Sequence, residues 1–141
     1  MTQERFQLED AVLAHYLPRN MFRFRDMNTT APYLQAGVVT NDGKCFILNM
    51  RLSGFPASKP KVYVEEMLRT KSGQLMDSAS APNHTLPSWN GWTQLCHYND
   101  GSWTTDVSLW KVYIKCRLWL EMYQAHMRTG KTMDYYLNHQ L

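Results

Sequence analysis

The sequence predicts an α+β fold, because a helix-period segment at the start is followed by strand-period segments and then by a longer helical segment. Phe22 and Phe24 alternate with Arg23 and Arg25, as in a strand with one apolar face. The residues 41–43, Asn-Asp-Gly, separate two further alternating runs, and Asp-Gly favours the positive φ angles of a tight hairpin. These observations indicate an N-terminal helix, a four-stranded antiparallel meander and a long C-terminal helix.

The first elements are expected in a simple order. A helix should span residues 2–17, and Pro18 ends it because proline cannot donate the next backbone hydrogen bond. Its polar face is expected to be exposed and consists of Glu4, Arg5, Glu9 and Asp10. Strands are expected at residues 21–26, 33–40, 44–52 and 61–65. The region 69–91, rich in Ser, Gly, Pro and Asn, is expected to form a long loop.

A long helix over residues 106–128 should follow. Thr104 or Thr105 is the expected N-cap, and Gly130 lies just past the end, where glycine commonly stops a helix. The polar residues of this helix do not form one stripe, so we expect it to be covered on more than one side. The region 131–141 is expected to fold back as a short helix, with packing residues Met133, Tyr136 and Leu137.

Composition places the chain among ordinary globular domains. Its 141 residues suit a single domain, over residues 1–141, and 44% of them are hydrophobic. A net charge of +3, without a block of like charges, argues against a nucleic acid or a membrane as a partner. Three cysteines are an odd number in a chain without a secretory signal, so a disulfide framework is not expected and a cytoplasmic location fits better.

The most informative segment spans residues 95–114. Cys96 opens a turn, Trp103 follows seven residues later, and the long helix begins shortly afterwards. A loop cysteine should lie near the surface, and an accessible thiol beside a helix is a candidate nucleophile. Cys45 and Cys116 fall inside a predicted strand and helix, where we expect buried thiols that behave as small hydrophobic groups. Replacing Cys45 is therefore expected to affect stability only.

Two motifs resemble those of ubiquitin-conjugating enzymes. Phe55-Pro56-x-x-x-Pro60-x-Val62 is similar to the family's Tyr-Pro-x-x-Pro-Pro-x-Val, with Lys59 in place of the first of the paired prolines. The segment 96–112 matches the family's cysteine, tryptophan and helix start once one loop residue is dropped. The resemblance covers roughly residues 3–128. It implies the UBC-like fold, with an active-site loop between the meander and the long helix.

The chain is most similar to the compact bacterial members of the family, which occur in ubiquitin-like conjugation and antiviral operons. The resemblance implies that Cys96 accepts a ubiquitin-like protein from an activating enzyme as a thioester and transfers it to an amine of a target protein. Exchange between thiols depends on the thiolate and the leaving group, so this first step requires no adjacent base. No cofactor is implied.

The family's His-Pro-Asn tripeptide is absent, and the nearest sequence is Pro82-Asn83-His84, twelve residues before Cys96. Transfer to an amine passes through a tetrahedral oxyanion, which a well-placed hydrogen-bond donor stabilises. His84 is the first candidate for this role or for taking the proton of the amine, and Asn83 is the second.

His97 is a further candidate, since a protonated imidazole beside a cysteine favours the thiolate. Neighbours in an extended segment usually point apart, which argues against this role. A metal site formed by Cys96, His84 and His97 is not expected, because paired zinc ligands at short spacing are absent.

Other interpretations stay open. The same fold could serve as a catalytically silent, RWD-like or UBC-variant binding module, and the missing His-Pro-Asn favours that alternative. An unrelated thiol enzyme is a third, more remote one. Trp89 and Trp92 either pack inward or face a partner. Arg5 and the acidic residues of the first helix are candidates for docking an activating enzyme.

Overall fold

The computed structural model describes the backbone of residues 1–140 and the side chains of residues 1–136. Within these residues, the helices are α1 (Gln3–Tyr16), α2 (Leu109–Thr129) and α3 (Met133–Gln140). The strands are β1 (Phe22–Arg25), β2 (Tyr33–Val39), β3 (Cys45–Arg51), β4 (Lys61–Val64), β5 (Thr85–Trp89) and β6 (Trp92–Leu95). Short 3₁₀ turns occupy Arg19–Met21 and Asp100–Ser102. The fold is therefore α+β, as predicted.

The strands form one antiparallel sheet in the order β1-β2-β3-β4-β6-β5. Along β2, Leu34, Ala36 and Val38 are buried while their neighbours are more exposed, so one face of the sheet lines the core. The long helix α2 crosses this face, and the Tyr113 hydroxyl donates a hydrogen bond to the carbonyl of Gly37 at 2.9 Å. The predicted meander β1–β4 is confirmed.

The predictions of four strands and of a loop over residues 69–91 are wrong, because the sheet has six strands and β5 begins inside the predicted loop. Residues 85–95 form the β5–β6 hairpin, in which Trp89 pairs with Trp92. Asn90 and Gly91 adopt φ angles of 58° and 73°, as a two-residue hairpin turn requires. Pro87 is compatible with this strand because β5 lies at the sheet edge and Pro87 falls within the irregular pairing between Leu86 and Trp89.

The start of α2 also differs from the prediction. The helix begins at Leu109, and Ser108 is its N-cap because the Ser108 hydroxyl accepts a hydrogen bond from the backbone N–H of Lys111. Thr104 instead begins a turn, in which its carbonyl accepts a bond from the N–H of Val107 at 3.2 Å. The predicted stop is confirmed: the capping residue after Thr129 is glycine in the left-handed conformation.

The predicted short helix at the end of the chain is present as α3, and Met133 is fully buried in the core. Tyr136 is half-buried, and its hydroxyl contacts that of Thr129. The side chain of Leu137 lies outside the described residues. No described helix is both long enough and apolar enough to cross a membrane.

Glu9 is buried, with 2% of its surface exposed, so the prediction that it faces solvent is wrong. One carboxylate oxygen accepts the N–H of Leu109 at 2.6 Å, and the other pairs with the Arg5 guanidinium at 2.9 Å. Arg5 also donates to the carbonyls of Thr105 and Val107 at 2.6 and 3.0 Å. The polar face of α1 therefore satisfies free backbone groups at the start of α2.

Cys45 is exposed, so the prediction of a buried thiol at this position is wrong. Side chains alternate along β3, and Phe46, the next residue, is the one that enters the core. An exposed thiol contributes little to the core, and the expectation that Cys45 matters for stability is withdrawn. The prediction for Cys116 is confirmed: it is buried inside α2, and this burial raises the pKa of its thiol.

Candidate active site

Cys96 lies directly after β6, at the point where the chain leaves the sheet. Its backbone N–H donates to the carbonyl of His84 at 2.9 Å, which extends the pairing of Thr85 with Leu95 by one residue. The residue is half-buried. Because its own amide already bonds to His84, this amide is not free to stabilise an oxyanion at the thiol. A donor for that purpose has to come from another group near the thiol, and the His84 side chain lines the same cavity as Cys96.

Cys96 lines an open cavity of about 390 Å³. The other residues around this cavity are Ala79, Ser80, Ala81, His84, Thr85 and Leu86. Most are small and none carries a carboxylate, so the space beside the thiol admits a slender acyl chain. A larger cavity of about 570 Å³ lies along β1 and is lined partly by arginines, but it contains no cysteine or histidine. Chemistry that uses a thiol therefore belongs to the smaller cavity.

His84, the first candidate for the transfer step, lines the same cavity as Cys96. His84 has a positive φ of 51°, which places it in the left-handed region. Its ring Nε2 lies 2.9 Å from a carboxylate oxygen of Asp134. We assign the proton to Nε2, because a carboxylate can only accept, and the lone pair of the neutral ring then lies on Nδ1.

Asp134 belongs to the first turn of α3 and was missed by sequence reasoning. It approaches the loop before β5 twice: through its side chain to His84, and through its backbone N–H to the carbonyl of Pro82 at 2.8 Å. From α2, the Trp119 indole N–H donates to the carbonyls of Asn83 and His84 at 3.2 and 3.1 Å. Two helices therefore hold the loop that presents His84.

Asn83 does not line the cavity of Cys96. Its backbone N–H donates to the hydroxyl of Ser80 at 3.3 Å, and its carbonyl accepts from Trp119. These bonds fix the loop through the main chain, and they place the neighbouring His84 beside the thiol. The structure brings the first candidate to Cys96 and leaves the second outside the cavity.

His97 follows Cys96 in sequence but engages the protein interior. Its Nε2 donates to the carbonyl of Pro60 at 2.7 Å, and its Nδ1 is buried without a hydrogen-bond partner among the described residues. Burial lowers the pKa of His97 to about 4; the bond to Pro60 opposes this shift, and the charges of Lys59 and Lys115 add to it. At neutral pH the ring is uncharged, so it supplies no positive charge to Cys96.

No known protein family, curated protein or solved structure matches this chain. The function of the site therefore has to be inferred from its own residues. Among the described residues, no cluster of three or more His, Cys, Asp or Glu side chains is arranged to hold a metal ion.

The segment after Cys96 is bonded firmly to the residues of the first motif. Lys59 donates to the carbonyl of Tyr98 and pairs with Asp100 at 3.0 Å. This lysine stands at the position of the first paired proline in the motif of ubiquitin-conjugating enzymes. The Trp103 indole donates to the carbonyl of Pro56 at 3.0 Å. The motif of residues 55–62 thus positions the loop downstream of the thiol.

Trp89 and Trp92 lie across the β5–β6 turn from each other, with ring centroids 5.7 Å apart. Trp89 also contacts Tyr63 at 5.4 Å and lies under the guanidinium of Arg51 at 5.1 Å. Nearly half of Trp89, 47%, remains exposed. The two tryptophans pack against the sheet and do not line the cavity of Cys96.

Proposed function

We propose that this chain is a ubiquitin-conjugating-like carrier. Cys96 accepts a ubiquitin-like protein from an activating enzyme as a thioester and transfers it to an amine of a target protein. The observation that supports this function best is a half-buried cysteine directly after β6, in a cavity that it shares with His84. The order of α1, the meander β1–β4, Cys96 and α2 is the one that the resemblance implies, and the β5–β6 hairpin before Cys96 is an addition to it. A UBC-like fold is part of the proposal.

The first step is an exchange of thioesters. The Cys96 thiolate attacks the carbonyl carbon of the incoming thioester, a new C–S bond forms, and the old C–S bond breaks. The electron pair leaves with the sulfur of the activating enzyme, which becomes a thiol by taking a proton from solvent. The step is balanced and needs no cofactor.

The main alternative is a catalytically silent, RWD-like module. A module that only binds has no use for an accessible thiol beside an oriented imidazole, and this argument favours the carrier. The compact bacterial type and a role in antiviral conjugation follow from the resemblance, a cytoplasmic location follows from the cysteine count, and all three are part of the same proposal. Nucleic acid and membrane are not among the proposed partners.

The test compares the two accessible cysteines. A synthetic peptide ending in Gly-Gly, supplied as its mercaptoethanesulfonate thioester, is incubated with Cys45→Ser and with Cys96→Ser, and intact masses are recorded without reductant. We expect rapid gain of one peptide in Cys45→Ser, reversed by dithiothreitol, because Cys96 is retained. Cys96→Ser should acylate at least tenfold more slowly, although Cys45 is the more exposed thiol. Equal rates in the two variants would favour the silent module.

A further inference from the structure

The contact between His84 and Asp134 joins two residues that are fifty positions apart in the chain, at 2.9 Å. Both side chains are accessible, with 32% and 46% exposed, so the pair is not required to neutralise a buried charge. A surface pair of this kind contributes little to stability. Because His84 also lines the cavity of Cys96, a role of the pair in the chemistry of the thiol explains its position better.

The loop is built to hold the His84 ring in one orientation. The backbone of His84 is in the left-handed region, which is uncommon for residues other than glycine and persists where the surroundings impose it. Its carbonyl accepts from both Cys96 and Trp119. Its Nε2 is turned to Asp134, which leaves the other ring nitrogen as the basic one. Met133, the neighbour of Asp134, is fully buried and anchors α3.

We propose that Asp134 positions His84 as the base for the second half of the reaction, so that α3 completes the active site. This inference rests on the proposed carrier function. In a Ser-His-Asp arrangement the carboxylate fixes the imidazole tautomer and stabilises the imidazolium that forms. Here Asp134 has the same two roles, and the thioester on Cys96 corresponds to the acyl-enzyme ester on serine.

The second half of the reaction transfers the acyl group from Cys96 to the amine of the target. The amine nitrogen attacks the thioester carbonyl, a C–N bond forms, and the C–S bond to Cys96 breaks with its electron pair on sulfur. The proton of the amine goes to Nδ1 of His84, while the proton on Nε2 stays directed at Asp134. The imidazolium then returns its proton to the Cys96 thiolate or to solvent. His84 is thus the catalytic base, and Asp134 is a positioning residue.

Among the residues whose side chains the structure describes, few titratable groups face His84. Asp134 approaches from α3 and Cys96 from the end of β6. The remaining cavity residues, Ala79, Ser80, Ala81, Thr85 and Leu86, are uncharged, and so is Trp119 from α2. With the thiol acylated, the imidazole and its carboxylate are therefore the described side chains in this region that can accept or hold a proton during transfer.

The experiment separates loading of Cys96 from its discharge. Protein with Cys45→Ser is loaded with the Gly-Gly peptide thioester, freed of excess peptide, and treated with O-methylhydroxylamine between pH 6 and 8.5. This amine is unprotonated throughout the range, so the pH dependence reports on the protein. Loss of the peptide is followed by mass spectrometry. Asp134→Asn keeps an acceptor for Nε2 but removes the charge, His84→Gln removes the base, and Asp106→Asn is an exposed control.

The informative quantity is the ratio of the discharge rate to the loading rate, because a general structural defect lowers both rates together. General base catalysis contributes on the order of 10²–10⁴-fold, so His84→Gln should lower the ratio about 100-fold and remove the pH dependence. Asp134→Asn should lower it about tenfold, and Asp106→Asn should leave it unchanged.

Three results would overturn the inference. If Asp134→Asn leaves the ratio of discharge to loading unchanged, Asp134 does not position His84. If His84→Gln leaves the pH profile unchanged, His84 is not the base. If the parent loses its peptide equally fast without the amine, water is the acceptor, and the protein is a thioester hydrolase that uses a cysteine, not a transferase. Failure of the parent to load at all contradicts the proposed carrier function, and this outcome is distinct from the other three.

Discussion

The chain segments before and after Cys96 are held in different ways. After the thiol, the side chains of His97 and Trp103 donate to the carbonyls of Pro60 and Pro56, and the carbonyl of Tyr98 accepts from Lys59 of the 55–62 motif. Before the thiol, the loop of residues 79–84 is held through its main chain, and its His84 ring stays accessible beside the cavity. The downstream segment uses its polar side chains for structure, whereas the upstream segment leaves one available for chemistry.

The difference teaches that the histidine nearest to Cys96 in sequence is not the one that shares its cavity. His97 adjoins Cys96, yet it is neutral and directed at Pro60. His84 is twelve residues away, yet it lines the same cavity. Four variants test this division, and they should produce effects on stability that decrease from the structural side to the reactive side.

The largest effect on stability is expected for Glu9→Ala, which acts on the downstream side. The change leaves the partly buried Arg5 without its carboxylate and removes the acceptor of the Leu109 N–H. Breaking a buried ion pair from one side costs about 3 kcal/mol or more. Urea unfolding at pH 7 should show this loss, a smaller one for Glu9→Gln, and a change within about 0.5 kcal/mol for the exposed Glu4→Ala. Equal midpoints for Glu9→Ala and Glu4→Ala would refute the structural role.

The next effect concerns pH and His97. Its pKa is about 4 in the folded protein, against 6.5 for the free side chain, so the unfolded chain binds more protons between these values. The free energy of unfolding is therefore highest above pH 6.5 and falls as the pH drops towards 4. Between pH 7 and 4.5 the parent should lose about 2 kcal/mol more than His97→Gln, whose side chain does not titrate. Parallel pH curves from urea unfolding would contradict the burial of this ring.

A smaller loss of stability is expected for Trp103→Phe. The phenylalanine ring keeps most of the contact with Phe55 but loses the indole bond to the Pro56 carbonyl. A hydrogen bond of this kind contributes about 1 kcal/mol. The half-exposed Trp89, replaced by phenylalanine in the same way, is the matched control and should change the unfolding midpoint less. The reverse order would indicate that the downstream loop is not fixed by this bond.

The smallest effect on stability is expected for Asp134→Asn on the upstream side. The pair with His84 is accessible, so its loss should change the free energy of unfolding by less than about 0.5 kcal/mol. The same variant is expected to slow discharge of the thioester, so rate and stability separate here. A loss of stability comparable to that of Glu9→Ala would show that the upstream contact is structural as well.

Much of the fold follows from local pattern. Period-two alternation and the Asp-Gly turn predict β1–β4, and Gly130 predicts the end of α2. The β5–β6 hairpin was missed because Pro87 and its polar neighbours suggested a loop. A signal for it was present in Asn90-Gly91, flanked by two tryptophans, since this dipeptide favours a two-residue hairpin turn.

The candidate site was less accessible to sequence reasoning. Cys96 and His84 were identified, but the approach of Asp134 depends on how α3 returns to the loop, which no local pattern encodes. Glu9 was placed on the wrong face for the same reason, because its partner Leu109 lies a hundred residues further along. Helical periodicity shows which positions share a face, but it does not show which face a distant element will cover.

The position of Asp134 after Cys96 in the chain has a consequence for biosynthesis. The sheet and the thiol are translated before α3, and domains begin to assemble as the chain emerges from the ribosome. Cys96 is thus added to the chain before the carboxylate that contacts His84. On the proposed mechanism, a chain in which α3 has not yet docked could receive an acyl group but could not pass it on efficiently, so competence for transfer depends on the docking of α3.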